Sequence, residues 1–441
     1  MVLRNSGIGA VLVFVAVICW TSVEAISYHN YKVFHVIPDS EQEITALQRL
    51  LHHLQHTNQA GAESAIQFWD DEFFTGKKHK VTVAPDHVSG FTSFCQLNGL
   101  RNELVWDDFS SVLRQHEPET PANRLGMDKA LLMNWETYHR YTTITSFYLY
   151  LETEHPDIVR RVLLGRTYEG RNMWLLKIGR LNANGTFADP TKPAIWVDSG
   201  IHAREWISSA TVTFMINQMV TNSSNSWMYE QLNWYILPMI NPDGFDYTHT
   251  NERLWRKTRR IDPFSECIGV DANRNYDFQW QKVKPAIDPC TNTYGGPAPY
   301  SEPENLLIFE QIMDLKRELR AFLTFHSHGQ LWMPPYGYTY DHTPDYPDLY
   351  ALSINATAAL RAVYGTVYRV GTSAEILYTS SGTSRDFAKG RTPTKYVFTI
   401  ELRDTGEFEF LLPADQIIPS GRETMEALKV VARRLIDEFS R

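Results

Sequence analysis

Four apolar runs between residues 194 and 400 constrain the fold more than any other feature. They are nearly continuous and are bounded by polar residues, a pattern typical of strands that are buried on both faces. Strands of this kind form largely parallel sheets between helix layers. We therefore expect an α/β domain with a mixed, largely parallel sheet. The runs cover residues 194–198, 234–237, 321–325 and 396–400, and helices are predicted over 143–154 and 306–318.

A smaller unit precedes these runs, over residues 26 to about 117. Its short elements follow the order βαββαβ, which predicts a small α+β open sandwich with two helices on an antiparallel sheet. Residues 116–124 are rich in Pro and Glu and lack an apolar period, which indicates a linker. A trypsin-like protease would cut it after Arg124, and the alternative is an uncut loop. Strands are predicted over 31–37, 65–69, 80–83 and 103–106, and helices over 40–56 and 87–97.

The first 25 residues predict a secretory signal peptide. Arg4 precedes an apolar run at residues 8–20, and residues 23–25 resemble a small-x-small cleavage site. The run is too short to span a bilayer comfortably, and no later stretch resembles a transmembrane helix. We expect cleavage after Ala25 and a soluble, secreted product that does not bind membranes. The net charge of -9 argues against nucleic-acid binding, which needs a basic face.

Export makes the cysteines informative. Cys19 leaves with the signal peptide, so that Cys95, Cys267 and Cys290 remain. In an oxidising compartment Cys267 and Cys290 are the natural pair, because only 22 residues lie between them. Closing this loop is worth roughly 3 kcal/mol in the chain-entropy model. Cys95 would stay free. The alternative is three buried thiols, which does not suit an exported protein.

His-x-x-Glu occurs three times, beginning at His116, His202 and His249. Of these three copies, only the one formed by His202 and Glu205 directly follows an apolar strand. In sheets of this kind, ligands bind at the carboxyl ends of the strands. His326 also directly follows an apolar strand. Two imidazoles and one carboxylate suit Zn²⁺ and leave a fourth position for water. The alternative is three inert polar residues at strand ends.

Several motifs in a fixed order resemble the A/B subfamily of zinc metallocarboxypeptidases. The resemblance covers residues 134–419, although Phe325 stands where the family often has Ile, and residues 29–117 resemble the family's activation propeptide. It implies a signal peptide at 1–25, a propeptide at 26–124 and a catalytic domain at 125–441. The same ligand set is established for carboxypeptidase A, so the choice of one Zn²⁺ follows from the resemblance. The motifs are GIHAREW at 200–206, NPDG at 241–244, WRKTR at 255–259, DANRN at 271–275, TFHS at 324–327 and ELRDTG at 401–406.

The resemblance also implies roles for individual residues. Glu401 would be the general base, and Arg256 would stabilise the developing oxyanion. Asn273 and Arg274 would hold the terminal carboxylate of the substrate, for which a guanidinium offers two parallel donors. Tyr378 would close over the same carboxylate. This grip would make the enzyme an exopeptidase that acts on the C-termini of peptides and proteins.

Further residues match positions around the family's cleft. Arg204 and Arg253 match positions that bind the peptide further out, and Phe410 matches an aromatic residue of the cleft wall. Asp271 would hydrogen-bond the far nitrogen of His202 and fix its tautomer. From the residues alone, Glu401 could instead pair with Arg403, two residues along the strand. We expect a monomer that a trypsin-like protease activates.

The segment at residues 378–386 bears on specificity. In the family, the residue before its Asp lies at the base of the pocket for the terminal side chain, and here that residue is Arg385. A buried cation attracts a carboxylate and rejects Lys or Arg. Ser373 stands where relatives with apolar specificity have a bulky aliphatic residue. We expect a preference for C-terminal Glu or Asp. The alternative is that Arg385 points to solvent or pairs with Asp386, which leaves a broad pocket.

The sequence argues against two other functions. A secreted binding protein that has lost activity would lack a ligand or the base, and the chain has each of them. A serine hydrolase needs a Gly-x-Ser-x-Gly elbow. The nearest segments, at residues 371–375 and 382–386, lack the last Gly.

Overall fold

A computed structural model describes residues 28–57, 65–116 and 133–440. The predicted signal peptide and the predicted cleavage point at Arg124 lie outside these residues. The strands are β1 Lys32–Ile37, β2 Ile66–Phe68, β3 His79–Val83, β4 Arg101–Trp106, β5 Val159–Arg166, β6 Asn172–Ile178, β7 Ala194–Ser199, β8 Asn233–Leu237, β9 Leu319–His326, β10 Leu331–Met333, β11 Arg369–Val370 and β12 Tyr396–Glu401. The helices are α1 Glu41–Thr57, α2 Val88–Leu97, α3 Phe109–His116, α4 Tyr141–Glu154, α5 Trp206–Thr221, α6 Ser226–Gln231, α7 Pro242–Thr250, α8 Pro303–Leu315, α9 Tyr346–Tyr364, α10 Ser373–Ile376, α11 Ser384–Arg391 and α12 Ile417–Phe439.

The N-terminal domain is the predicted open sandwich. Its four strands lie in the order β2-β3-β1-β4 and pair antiparallel throughout. The apolar face of α1 contributes Ile44 and Leu47, and α2 contributes Phe91, to one buried cluster with the sheet. The prediction missed α3, which occupies residues just before the expected linker. Phe109 of this helix packs in a cluster shared by the two domains, so tertiary contacts stabilise it.

The C-terminal domain contains an eight-stranded sheet in the order β11-β10-β12-β9-β7-β8-β6-β5. The four central strands, β12, β9, β7 and β8, are parallel, and they are the four apolar runs of the sequence. Antiparallel pairing occurs toward the edges, where β10 joins β12, β6 joins β8, and β5 joins β6. Two large apolar clusters include side chains from β7, β9 and β12, one on each face of the sheet. The mixed, largely parallel α/β fold is confirmed.

A disulfide joins Cys267 to Cys290, which confirms the predicted pair. Both cysteines belong to a long irregular segment between α7 and α8 that has little regular hydrogen bonding of its own. Cys95 is a buried thiol of α2, and burial raises its pKa to about 12. Across the described parts of the chain, none of the helices combines the length and apolarity needed to cross a membrane.

Candidate metal centre and active site

A turn and the end of a strand, both at the carboxyl edge of the parallel sheet, supply the predicted ligands. His202 and Glu205 lie in the turn between β7 and α5, and Glu205 directly precedes the helix. The turn begins at Gly200, whose φ is +65° and where a Cβ would lie 2.6 Å from Ser209 Oγ. A side chain would therefore be strained and crowded at this position. His326 is the last residue of β9, the neighbour of β7.

The three side chains converge. Nδ1 of His202 lies 2.7 Å from Glu205 Oε1, and Nδ1 of His326 lies 3.1 Å from Glu205 Oε2. The two Nδ1 atoms are 3.2 Å apart, and all three residues are buried. One ligand atom from each lies within 4.8 Å of the other two. Two imidazole nitrogens and a carboxylate that face one another in a buried pocket fit a divalent cation of the zinc type.

The electrostatics of the ligands agree with cation binding. Burial by itself raises the pKa of the Glu205 carboxyl. The facing imidazoles of His202 and His326 outweigh burial and hold that pKa well below its usual range. Ser327 adds a backbone N–H that donates to Glu205 Oε2 at 3.2 Å. The carboxylate is therefore kept ionised, which is the form that binds a metal.

Asp271 orients two other groups of the site. Its Oδ1 accepts a hydrogen bond from Nε2 of His202 at 3.1 Å, which leaves Nδ1 of that ring as the ligand atom. Its Oδ2 accepts from Nη2 and Nε of Arg256, at 2.9 and 3.2 Å. Burial raises the pKa of Asp271, but Arg256, Arg274 and His202 together lower it well below its usual range. Nη1 of Arg256 lies 3.9 Å from Glu205 Oε1, on the ligand side.

Glu401 is the last residue of β12 and is in register with His326 on β9. The parallel pairing therefore brings a carboxylate beside the three ligands. Burial raises the pKa of Glu401 to about 8, and the positive charges of His326 and Arg256 oppose this only in part. Arg403 does not pair with it, because its guanidinium donates to Glu423, with 2.7 Å between Nε and Oε1. Glu401 therefore lies beside the ligands and lines the pocket without an ion pair to Arg403.

The guanidinium of Arg385 is buried and lines the same pocket. Its Nε donates to Asp386 Oδ1 and its Nη2 donates to Ser373 Oγ, each at 3.0 Å. Gly337 makes room for it, since a Cβ there would lie 2.0 Å from Nη2. Asp386 also accepts from the N–H groups of Gly337 and Tyr338. Arg385 therefore does not point to solvent; it both pairs with Asp386 and lines the pocket.

Other predicted residues are gathered around this pocket, with one placed elsewhere. Asn273, Arg274, Tyr378, Arg204 and Phe410 line the pocket, and the Arg204 guanidinium lies over the Phe410 ring, 4.0 Å from its centroid. Arg253 is absent from the pocket lining. It donates to the backbone carbonyls of Arg204 and Phe410, at 3.0 and 2.6 Å. In this structure Arg253 therefore holds two pocket residues in place.

The comparisons with known proteins agree with this geometry. Residues 144–427 match the family described as zinc carboxypeptidase, and residues 34–116 match the family described as carboxypeptidase activation peptide.

The chain belongs to the zinc carboxypeptidase family.

Its relatives cover both domains. The chain is 45% identical to carboxypeptidase B of Astacus astacus over 70% of this chain and 100% of that protein. It is 34% identical to carboxypeptidase A1 of Bos taurus over 94% of this chain and 96% of that protein. The solved carboxypeptidase A of Helicoverpa armigera superposes with a TM-score of 0.79 at 25% identity, over 94% of this chain and 99% of that structure. The chain is therefore a carboxypeptidase zymogen of the A/B subfamily, with its activation peptide as the N-terminal prodomain.

The prodomain covers the active site of this zymogen. The segment after β2 contributes Trp69, Asp70, Asp71 and Glu72 to the lining of the pocket. Asp71 Oδ2 lies 3.8 Å from Nη2 of Arg204. A prodomain carboxylate thus faces a catalytic-domain arginine across the pocket.

One buried polar contact between the domains was not predicted from the sequence. Lys80 of β3 is fully buried, and its Nζ donates to the carbonyls of Gly406 and Glu407 at 2.7 and 2.9 Å. It also lies 3.2 Å from Glu409 Oε1. The available signal was a lysine next to Val81 and near Val83 in β3, but its partners lie more than 300 residues away along the chain. The sequence analysis also missed Met333 and Thr399, which line the pocket.

Proposed function

We propose that this protein is a secreted zymogen which, once its prodomain is cut away, removes single residues from peptide C-termini and prefers Glu or Asp. The observation that supports this preference most directly is the buried guanidinium of Arg385 in the wall of the pocket. A guanidinium has five N–H donors. Asp386 and Ser373 each accept from one of its nitrogens, so donors remain for a substrate carboxylate.

The same proposal assigns the metal and the catalytic residues. His202, Glu205 and His326 would hold one Zn²⁺. When bound, this ion polarises the scissile carbonyl and lowers the pKa of bound water. Glu401, beside the ligands in the sheet register, would take the proton of the water and pass it to the leaving amine. Arg256, held by Asp271, would direct Nη1 to the charge that develops on the carbonyl oxygen.

The substrate would be held by its terminal carboxylate. Asn273 and Arg274 follow Asp271 in one short turn, and Asn273 Oδ1 accepts from the N–H of Ser384 at 2.9 Å. This bond orients the amide so that its NH₂ group faces the pocket side, toward His326. Arg274 would bind the carboxylate with two donors, and Tyr378 would cover it. Arg204, Arg253 and Phe410 would support residues further along the peptide.

Secretion is supported by two independent features. The N-terminal sequence has the pattern of a signal peptide, and the Cys267–Cys290 bridge suits an oxidising compartment. N-terminal sequencing of the protein exported by a eukaryotic cell tests this proposal. A start at Ile26 supports it, and an intact N-terminus on protein retained inside the cell contradicts it.

The specificity proposal is tested with peptides that differ only in the last residue, which is Glu, Asp, Phe or Lys. We expect the trypsin-cut enzyme to show the highest kcat/KM for Glu or Asp and the lowest for Lys. Arg385→Met should reduce kcat/KM for the Glu peptide about 10–100-fold, since a hydrogen bond to a charged group contributes about 1.5–3 kcal/mol.

Arg391→Met is the matched control, because Arg391 is on the same helix but is exposed and pairs with Asp277 outside the pocket. This substitution should leave the kcat/KM values for all four peptides unchanged. If the wild-type enzyme cleaves the Phe peptide best, the acidic preference is wrong, and the pairing of Arg385 with Asp386 has left a broad pocket.

A further inference from the structure

A second group of metal-ligand side chains lies outside the active site, where the two domains meet. His52 and His56 are exposed residues of α1 in the prodomain, and Asp288 belongs to the catalytic domain. One ligand atom from each lies within 4.8 Å of the other two. None of the three residues lines the active-site pocket. This cluster, which we call the interdomain triad, exists only while the prodomain is docked.

The two histidines are arranged as ligands. They are four residues apart, so they share one face of α1, and their ring centroids are 4.2 Å apart. Nδ1 of His56 lies 2.7 Å from the carbonyl oxygen of His52, which can only accept, so Nδ1 carries the proton. Metal-binding imidazoles are usually oriented by such a bond to a carbonyl. With Nδ1 engaged in this way, Nε2 is the ring nitrogen of His56 that faces the third residue.

Asp288 is the ligand from the catalytic domain. Its Oδ1 accepts from the N–H of Cys290 at 3.0 Å, so the disulfide-closed loop holds the carboxylate in place. Its Oδ2 lies 3.0 Å from Nε2 of His56. This oxygen is buried and faces the His56 ring. Two electron-rich atoms at this distance need a cation or a proton between them.

We propose that His52, His56 and Asp288 bind a second divalent ion, of which Zn²⁺ fits best, and that this ion clamps the prodomain to the catalytic domain. Two imidazoles and a carboxylate are ligands that zinc accepts, with water completing the coordination. Because the ligands come from both domains, binding of the ion is linked to docking. When the free zinc concentration is about ten times the Kd of this site, zinc binding should increase the equilibrium constant for prodomain docking about tenfold.

The test compares the zinc content of the intact zymogen and its variants after equilibration with buffered micromolar zinc. Wild-type protein should bind two equivalents of zinc, one in the active site and one in the interdomain triad. His56→Ala and Asp288→Asn should each bind only the active-site ion. His53→Ala is the matched control, since it removes the adjacent exposed histidine and should keep both ions. The proposal is overturned if wild type holds a single equivalent, which would mean that a protonated His56 pairs with Asp288.

A second measurement separates a clamp from a site on the helix alone. After tryptic cleavage at fixed zinc, the prodomain should dissociate about tenfold faster from Asp288→Asn than from wild type. If Asp288→Asn retains the second ion, or releases its prodomain at the wild-type rate, the ion does not join the domains. Neither measurement depends on peptidase activity, so their failure would leave the proposed function standing.

Discussion

Lys80 of the prodomain and Glu409 of the catalytic domain form a buried ion pair, with 3.2 Å between Nζ and Oε1. The same ammonium group donates to two backbone carbonyls of residues 406 and 407. The pair joins the segment that follows β12 in the catalytic domain to β3 of the activation peptide. Loss of this pair should therefore both destabilise the zymogen and weaken the docking of the prodomain over the active site.

Lys80→Met should weaken the docking of the prodomain. Methionine fills the space of the lysine stem but leaves the Glu409 carboxylate buried without a cation, which costs about 3–5 kcal/mol. Burial and Asp70 raise the pKa of Glu409 to about 7 although Lys80 lowers it. The comparison is made at pH 8, where the wild-type carboxyl is largely ionised, and the loss of Lys80 raises the pKa further in the variant. We expect a lower unfolding temperature and measurable activity before cleavage.

Lys78→Met is the control for this substitution, because Lys78 pairs with Glu103 on the exposed surface and such pairs contribute little. After trypsin cleavage, both variants should have wild-type activity. The proposed role of Lys80 in docking is contradicted if the two uncut variants unfold at the same temperature and both lack peptidase activity.

Glu401→Gln should remove catalysis without removing the metal. A general base contributes typically 10²–10⁴-fold, so kcat should fall by about that factor while the zinc content of the trypsin-cut enzyme is unchanged. Glu205→Gln should instead lose zinc, because an amide is a poorer ligand than a carboxylate. Glu407→Gln changes an exposed neighbour and should be neutral. An active Glu401→Gln enzyme would refute the assignment.

Glu304 should make the protein less stable at alkaline pH. Burial raises the pKa of this carboxyl to about 8, the N–H of Tyr168 opposes the rise, and Glu302 and Asp243 add to it. The unfolded value is about 4.3, so between these values the folded chain holds a proton that the unfolded chain has lost. Stability therefore falls as the pH rises toward 8, by an amount on the order of a few kcal/mol.

Glu304→Gln keeps an acceptor for Tyr168 and cannot ionise. Its free energy of unfolding should decrease less between pH 6 and pH 9 than that of wild type, as urea titrations at each pH would measure. Glu310→Gln, an exposed change on the same helix, should follow the wild-type curve. Parallel curves for Glu304→Gln and wild type would contradict the raised pKa.

Removal of the disulfide should destabilise the chain by about 3 kcal/mol, the value for closing a loop of this length. The double variant Cys267→Ser, Cys290→Ser should lower the urea midpoint to that of reduced wild type and should no longer respond to reductant. Cys95→Ser should keep the response, since Cys95 is a free thiol. A double variant as stable as oxidised wild type would show that the bridge does not stabilise the fold.

The sequence alone determined the layers of the fold, and its resemblance to the family supplied the predicted site residues. Nearly continuous apolar runs indicate strands that are buried on both faces, and such strands predict a parallel sheet. The runs are residues 194–198, 234–237, 321–325 and 396–400. Local order along the chain also revealed the prodomain sandwich and the disulfide pair. These predictions succeeded because each depends on neighbouring residues or on a short loop.

Tertiary structure decided what depends on contacts between distant segments. The register of β12 against β9 places Glu401 beside His326, and the sequence did not give this pairing. Glu423, not Glu401, is the partner of Arg403. The burial of Arg385, the Lys80–Glu409 pair and the approach of His56 to Asp288 likewise join residues that the chain keeps apart. Charge and hydrogen bonding act through space, so only the folded chain shows which partners these groups have.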